Sequence, residues 1–433
     1  NNLSVSAAHS FRVHGGSANA VGDAFIGGFG TNDSASGTAR ANADLSAGNQ
    51  VSIINTATTT INIDGGIAGA SAGGTGFCTS TCSGIVNSVM NASANASITG
   101  PVISIDQAGV VVRGGQASAL ASGGSFAATG TIGTGTAFAF ADATAVADAV
   151  ISGGTVTISN DVGAISASGG GAFANVSNVS LDKAKVAAVS LIESTSGELK
   201  IDTSDAVNIR GGLAITNVSG SEAIADAYTE LASATHVKVT AGSVNVSGGT
   251  ASSTGSPTSA TPALQGFANA KAKVSAGDAL SIIATNDITN VAIGNGGDFY
   301  GNGIYMSAGN NIDLVNSTVS VGTGTVPGIE GDKLTLAYMA LNGIKPPTTL
   351  DPNVKFSAGG VLNLGNITMG GDVPYLWLEA DTTNLSGLVE APVSSDIVVQ
   401  FSPYTLTASI GVEATENLVN PQLVNYNNED HFN

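Results

Sequence analysis

Charge is scarce in this chain, and positive charge scarcest: of 433 residues 10% are charged, 13 basic against 32 acidic, for a formal net charge of −19. A surface of that sign repels phosphate backbones and anionic lipid headgroups, which argues against nucleic acid as a partner. No run approaches 18 consecutive apolar residues, so no membrane insertion as a helix is expected. Aromatics supply 5% of the chain, with one tryptophan, Trp377, so a core of large side chains is not on offer. Of the 11 prolines only Pro101 precedes residue 255. The chain opens at Asn1 with neither methionine nor a basic-then-apolar leader, and is read as a mature product or a fragment.

Familiar catalytic patterns are missing as well. The histidines are His9, His14, His236 and His431, and none stands in H-E-x-x-H or follows a G-x-S-x-G elbow. Carboxylates such as Asp202, Asp205 and Asp298 are scattered along the chain. No catalytic residue and no metal ligand is assigned, and the expectation is a protein that is not an enzyme. The two cysteines, Cys78 and Cys82, are too far apart for a bridge if extended, roughly 13 Å against a tolerance of about 7 Å. The reading is a disulfide stapling a turn in an oxidising compartment, with two independent thiols as the alternative.

What is abundant is glycine, 58 residues, near double its usual share, together with alanine and β-branched residues. Mean hydropathy is +0.26, too apolar for a disordered chain. A double glycine recurs at Gly15-Gly16, Gly65-Gly66, Gly114-Gly115, Gly169-Gly170, Gly211-Gly212 and Gly248-Gly249, at spacings of 50, 49, 55, 42 and 37. Before most of these pairs lie two V-x-I-like runs, such as Val51/Ile53 then Ile61/Ile63, or Leu199/Ile201 then Val207/Ile209. Period two is the signature of a strand, and recurrence at a fixed spacing that of a repeat architecture.

Between these runs alanine alternates. It holds every odd position from Ala137 to Ala149. Propensity alone says helix, but a helix would scatter these methyl groups around its circumference, whereas a strand puts all of them on one face. A second motif, Ser-Ala-Gly followed by an apolar pair, occurs at Gly48, Gly277, Gly309 and Gly359, each read as a solenoid corner preceding a strand. The expected fold is all-β: a parallel β-solenoid with V-x-I pairs inward and Ala-rich strands as a second layer or as arms. At 20–25 residues per coil this makes a rod on the order of 80 to 100 Å.

Composition divides the chain into 1–255, Ala/Gly-rich repeats; 256–394, continuing solenoid with proline-containing loops; and 395–433, C-terminal strands and tail. Residues 294–303 (GNGGDFYGNG) faintly resemble glycine-aspartate calcium turns, but the unit does not recur. No cofactor is expected, calcium being the one ion that acidic loops would suit weakly.

The A-G-x-x-apolar-x-apolar corners with their V-x-I pairs resemble the repeats of filamentous haemagglutinin-like exoproteins, surface proteins exported by two-partner secretion. Val398-Val399-Gln400-Phe401-Ser402-Pro403-Tyr404 and Ile410-Gly411-Val412-Glu413 resemble segments that follow the repeats in that family. The resemblance implies a right-handed β-helix, an extracellular or cell-surface location, and a structural or adhesive role, with a host or neighbouring cell surface as a further partner. A carbohydrate-active β-helix enzyme and a calcium-dependent surface-layer protein are the alternatives.

A solenoid that stops exposes unpaired backbone groups. Leu3/Val5 follow the repeat pattern from the start, and Val399, Phe401, Tyr404, Ile410, Tyr426 and Phe432 lie in the last strands and tail. These eight residues are the expected contacts of a head-to-tail homopolymer, in which residues from about 395 onward meet the first coils of the next copy.

Overall fold

Burial of the V-x-I pairs sets the architecture. The computed structural model describes residues 1–7, 10–26, 33–55, 60–78, 84–106, 109–128, 137–161, 163–177, 183–218, 222–254, 265–290, 297–325, 352–371, 374–391, 398–402, 410–411 and 422–425. Val51, Ile53, Ile61, Ile63, Leu199, Ile201, Val207 and Ile209 are all 0–1% exposed and share one continuous core that runs on to Leu378 and Ala380. No helix occurs among the described residues. The fold is a parallel β-solenoid.

Each coil has three sides. On the first, Ala43–Ser46 is followed coil by coil by the opening halves of Ala96–Asp106 and Ala149–Asn160, then by Ser190–Ser194, Thr229–Ser233, Ala272–Ala276 and Gly297–Gly301. The second begins with Asn2–Ala7 on Gln50–Asn55 and ends with Val398–Ser402 under Gln422–Asn425. The third stacks Phe11–His14, Thr60–Asp64, Gly109–Arg113, Ile165–Ser168, Ala206–Arg210 and Ser243–Ser247. The pairings are parallel and bring inward residues over inward residues, with a register shift between Leu314 and Thr318, where Ile312–Val321 passes from the third side to the first. A single slip would turn a whole set of Val and Ile outward, which is why the V-x-I period is kept so strictly.

From the third side of the first six coils the chain leaves the solenoid and returns. The outgoing strands, Ser17–Ile26, Ile67–Cys78, Gln116–Ala128, Gly171–Ser177, Leu213–Val218 and Thr250–Thr254, form one six-stranded sheet. The returning strands, Asp33–Arg40, Gly84–Ser93, Ala137–Val146, Lys183–Ala187, Glu222–Asp226 and Gln265–Asn269, form another. Their facing sides make a second, separate core that is almost pure alanine: Ala68, Ala70 and Ala72 against Ala92, and Ala117, Ala119 and Ala121 against Ala141, Ala143 and Ala145. The alternating alanines are therefore an arm, a fin of two sheets held together by single methyl groups. It tapers, since its outgoing strands shorten from 13 residues to 5.

The arm corrects the expected length. Among the described residues twelve strands stack on the second side, and eleven steps of about 4.8 Å give about 53 Å of solenoid, not 80 to 100 Å. Coils of the first half spend many of their residues on the arm and none of that length adds rise. After Gln265–Asn269 no arm strand appears among the described residues, while the solenoid core continues, with Ser243–Ser247 stacked against Ile288–Thr289. After Pro101 the next prolines are Pro257 and Pro262, in the sequence between the last two arm strands, Thr250–Thr254 and Gln265–Asn269. A strand flanked on both edges needs its N–H groups, so the arm interior excludes proline.

Candidate functional site

Where the arm joins the solenoid, two backbones cross. The Gly66 N–H donates to the Ala94 carbonyl, Gly115 to Ala147, Gly170 to Ala188, Gly212 to Ala227 and Gly249 to Ala270, at 2.5–2.7 Å. Each bond closes the neck of one arm hairpin. A Cβ at Gly65, Gly114, Gly169 or Gly211 would overlap the carbonyl just after the returning strand of the next coil, and one at Gly115, Gly170, Gly212 or Gly249 the glycine carbonyls of the coil before. The double glycine is thus a close-approach device, required because no side chain fits between the sheets at their base.

The corner glycines work similarly, which refines their expected role. None has a positive φ; among the described residues only Gly163 and Gly371 do. Gly277, Gly309 and Gly359 instead pass so near Ala234, Thr285 and Gly309 of the preceding coil that a methyl would collide with a carbonyl oxygen. Gly48 has no such neighbour within 4 Å. One motif also serves two different corners: Gly48 and Gly277 turn the first side into the second, Gly309 and Gly359 the second into the third.

The expected assembly residues fall in several settings. Leu3 and Val5 sit opposite Val51 and Ile53, and Val5 packs on the solenoid core. Among the described residues their strand is paired along one edge, as are Phe11–His14, Ser17–Ile26, Asp33–Arg40 and Ala43–Ser46. Val399 and Phe401 belong to a strand whose two edges are both filled within the chain, by Tyr375–Glu379 and Gln422–Asn425. Among the described residues the last strands at this end, each paired on one edge, are Gln422–Asn425 and Ile410–Gly411, where Ile410 lies opposite Thr383. Tyr404, Tyr426 and Phe432 lie outside the described residues, as does Cys82; Cys78 ends the strand Ile67–Cys78, and its pairing lies outside them too.

Carboxylates gather beside the neck, a grouping that sequence spacing does not reveal. Asp148 follows the returning strand; its Oδ1 accepts from the Val189 N–H at 2.8 Å, and its own N–H donates to Asn95 Oδ1 at 3.0 Å. Burial pushes its pKa from 3.8 up to about 6, with Asp226 adding to the rise. Asp226 is raised too, chiefly by burial, and Tyr228 above them by burial and then by Glu230, Asp148, Asp226 and Glu193. Each carboxylate has a partner on a neighbouring strand: Asp226 takes the Asn269 amide, Glu193 the Ser152 hydroxyl, and Glu230 both Lys273 (2.8 Å) and Ser275 (2.9 Å). Asp298, from the glycine-rich stretch that faintly resembles a calcium turn, lies in the strand Gly297–Gly301 and pairs with Lys271 at 3.0 Å. A shallow cleft of about 410 Å³ near the next corner is lined by Tyr300, Asn302, Ser320 and Thr368 and carries no carboxylate.

Asp202 is paired with Lys200 at 3.6 Å along its own strand, Leu199–Thr203, and Asp205 accepts from the Gly163 N–H of the preceding coil. His14 and His236 are exposed. Comparison of the chain with protein-family models, curated proteins and solved structures gives no match.

Proposed function

We propose that this chain is a structural or adhesive element of an extracellular bacterial surface fibre, in which solenoids associate end to end. The observation that supports it is that, among the described residues, both ends of the solenoid present strands paired on one edge. The first coil offers five strands bonded on one side, and the last offers Gln422–Asn425 and Ile410–Gly411 in the same parallel geometry. A free strand edge is a template for another strand, and stacking in the sense of the existing coils gives a heterologous contact that does not close. The surface location rests on the resemblance of the repeats to exported haemagglutinin-like proteins.

The alternative, a carbohydrate-active enzyme, draws on Asp148 and Asp226, where burial raises the pKa of two carboxylates in one region. The two readings separate by experiment. Purified chain is examined by negative-stain microscopy and sedimentation, alone and with a folded domain fused ahead of Asn1 to cover the first coil. Filaments that the fusion abolishes support the fibre. Turnover of a polysaccharide that Asp148→Asn eliminates, by a chain that stays monomeric, overturns it.

A further inference from the structure

The two outer faces of the arm differ in charge. The returning sheet turns Arg40, Asp142, Lys183, Lys185 and Asp226 outward. The outgoing sheet carries one outward charge among its described residues, Asp23, far from the neck. Its rows are otherwise neutral: Ile67, Gln116 and Leu213 in one, Ser118, Phe173 and Ile215 in the next, Val21, Leu120 and Asn175 in the third. Large apolar groups here are left open to solvent, Val21 at 63%, Ile67 at 55%, and Leu120, Phe173 and Leu213 at 37–38%.

We infer that this face is a lateral docking surface for the same face of a second copy of this chain. Charge selects that occupant. The chain carries −19, and the other described faces all present carboxylates: Glu193 and Glu230 on the first side, Asp106 and Asp202 on the second, Asp64 and Asp313 on the third, and Asp142 on the returning sheet. Among the described faces the outgoing sheet brings the fewest charges together when two copies meet, its one outward carboxylate being Asp23 in its first strand. Size agrees. About 50 residues at 3.3 Å rise and 4.8 Å spacing give a sheet plane of about 800 Å², the share that each partner contributes to a standard specific interface. Stacking two such faces about a two-fold axis buries apolar groups against apolar groups, and leaves Gln, Asn and Ser between them for hydrogen bonds. This contact is sideways to the solenoid axis and independent of end-to-end growth.

The test is sedimentation velocity of the full chain from 1 to about 100 μM, with Leu120→Asp and Phe173→Asp, and with Phe267→Asp as the control on the returning sheet; an interface of this size binds at micromolar concentration or tighter. All three positions are exposed, so equal melting temperatures check that folding is unaffected. The expected result is side-by-side pairing of the wild type. It should weaken at least about tenfold in Leu120→Asp and Phe173→Asp, stay unchanged in Phe267→Asp, and strengthen with salt as repulsion is screened. Equal pairing by all variants, or no lateral pairing of wild type in micrographs, overturns the inference. So does a wild type that stays single and binds insoluble glucan through Leu120 and Phe173.

Discussion

Replacing Asp148 with asparagine isolates one electrostatic term. Two coils earlier Asn42 occupies the equivalent position, and one coil earlier Asn95; each offers its Oδ1 to the N–H of the next coil, Asn42 to Asn95 at 3.1 Å and Asn95 to Asp148 at 3.0 Å. Asp148 makes the same bond to Val189 at 2.8 Å, but with a largely buried carboxylate. The amide of Asp148→Asn keeps the acceptor and discards the charge. A pKa raised from 3.8 to about 6 means that the folded state holds its proton more tightly than the unfolded state. Stability from this group is therefore complete below 3.8, falls as pH rises through the interval, and is fully lost above 6. The difference amounts to roughly 2–3 kcal/mol. Urea unfolding of both proteins from pH 3 to pH 8 should show the variant more stable by that amount at pH 8, and the two converging at pH 3. A variant no more stable at pH 8, or a difference that does not vary with pH, refutes the assignment of the shift to desolvation.

The neck glycines are expected to be intolerant of any side chain. In Gly115→Ala the new methyl overlaps the Gly66 carbonyl oxygen, and a loss of about 3 kcal/mol or more should appear in the melting profile. Inside the arm, Ala119→Leu overpacks a face made of methyl groups and should cost about 1–3 kcal/mol, with hydrogen exchange rising in the arm before the solenoid. In the solenoid, Ile105→Ala should cost about 2–5 kcal/mol through the cavity it leaves. A carboxylate at Ile209 should unfold its neighbouring coils, and an unchanged melting temperature in Ile209→Asp would contradict the inward placement.

The solenoid core was legible because the information is local. Val51 and Ile53 differ from Ser52 in a pattern that only a half-buried strand produces, and burial follows from period alone. The same logic reached the alternating alanines. What they pack against was not legible: Ala119 meets the returning sheet, a pairing fixed by where the chain turns back rather than by any residue in the strand. Neck glycines carried a visible spacing, one full coil with its arm, yet their purpose depends on carbonyls such as Ala94 and Ala147 that lie far off in sequence. Rod length was overestimated for the same reason, since a residue count does not say which residues add rise. Met90 shows how finely the arm is fitted, for it occupies an alanine position only because Gly22 and Gly37 leave space for it. At the candidate site, Asp148 looks in sequence like any other polar residue between alanines. Its burial is a tertiary property, and the groups that act on its charge, the Val189 N–H and Asp226, lie one and two coils on.

End-to-end growth is tested most directly by electron cryomicroscopy of the purified full chain at high concentration. Twelve levels at about 4.8 Å give an expected axial repeat of about 58 Å in an unbranched filament, with a fin projecting over roughly half of each repeat. Strand stacking should continue across the junction between Gln422–Asn425 of one copy and Asn2–Ala7 of the next. Particles that remain single rods of about 53 Å at every concentration, or filaments whose junction leaves these two strands apart, would contradict it.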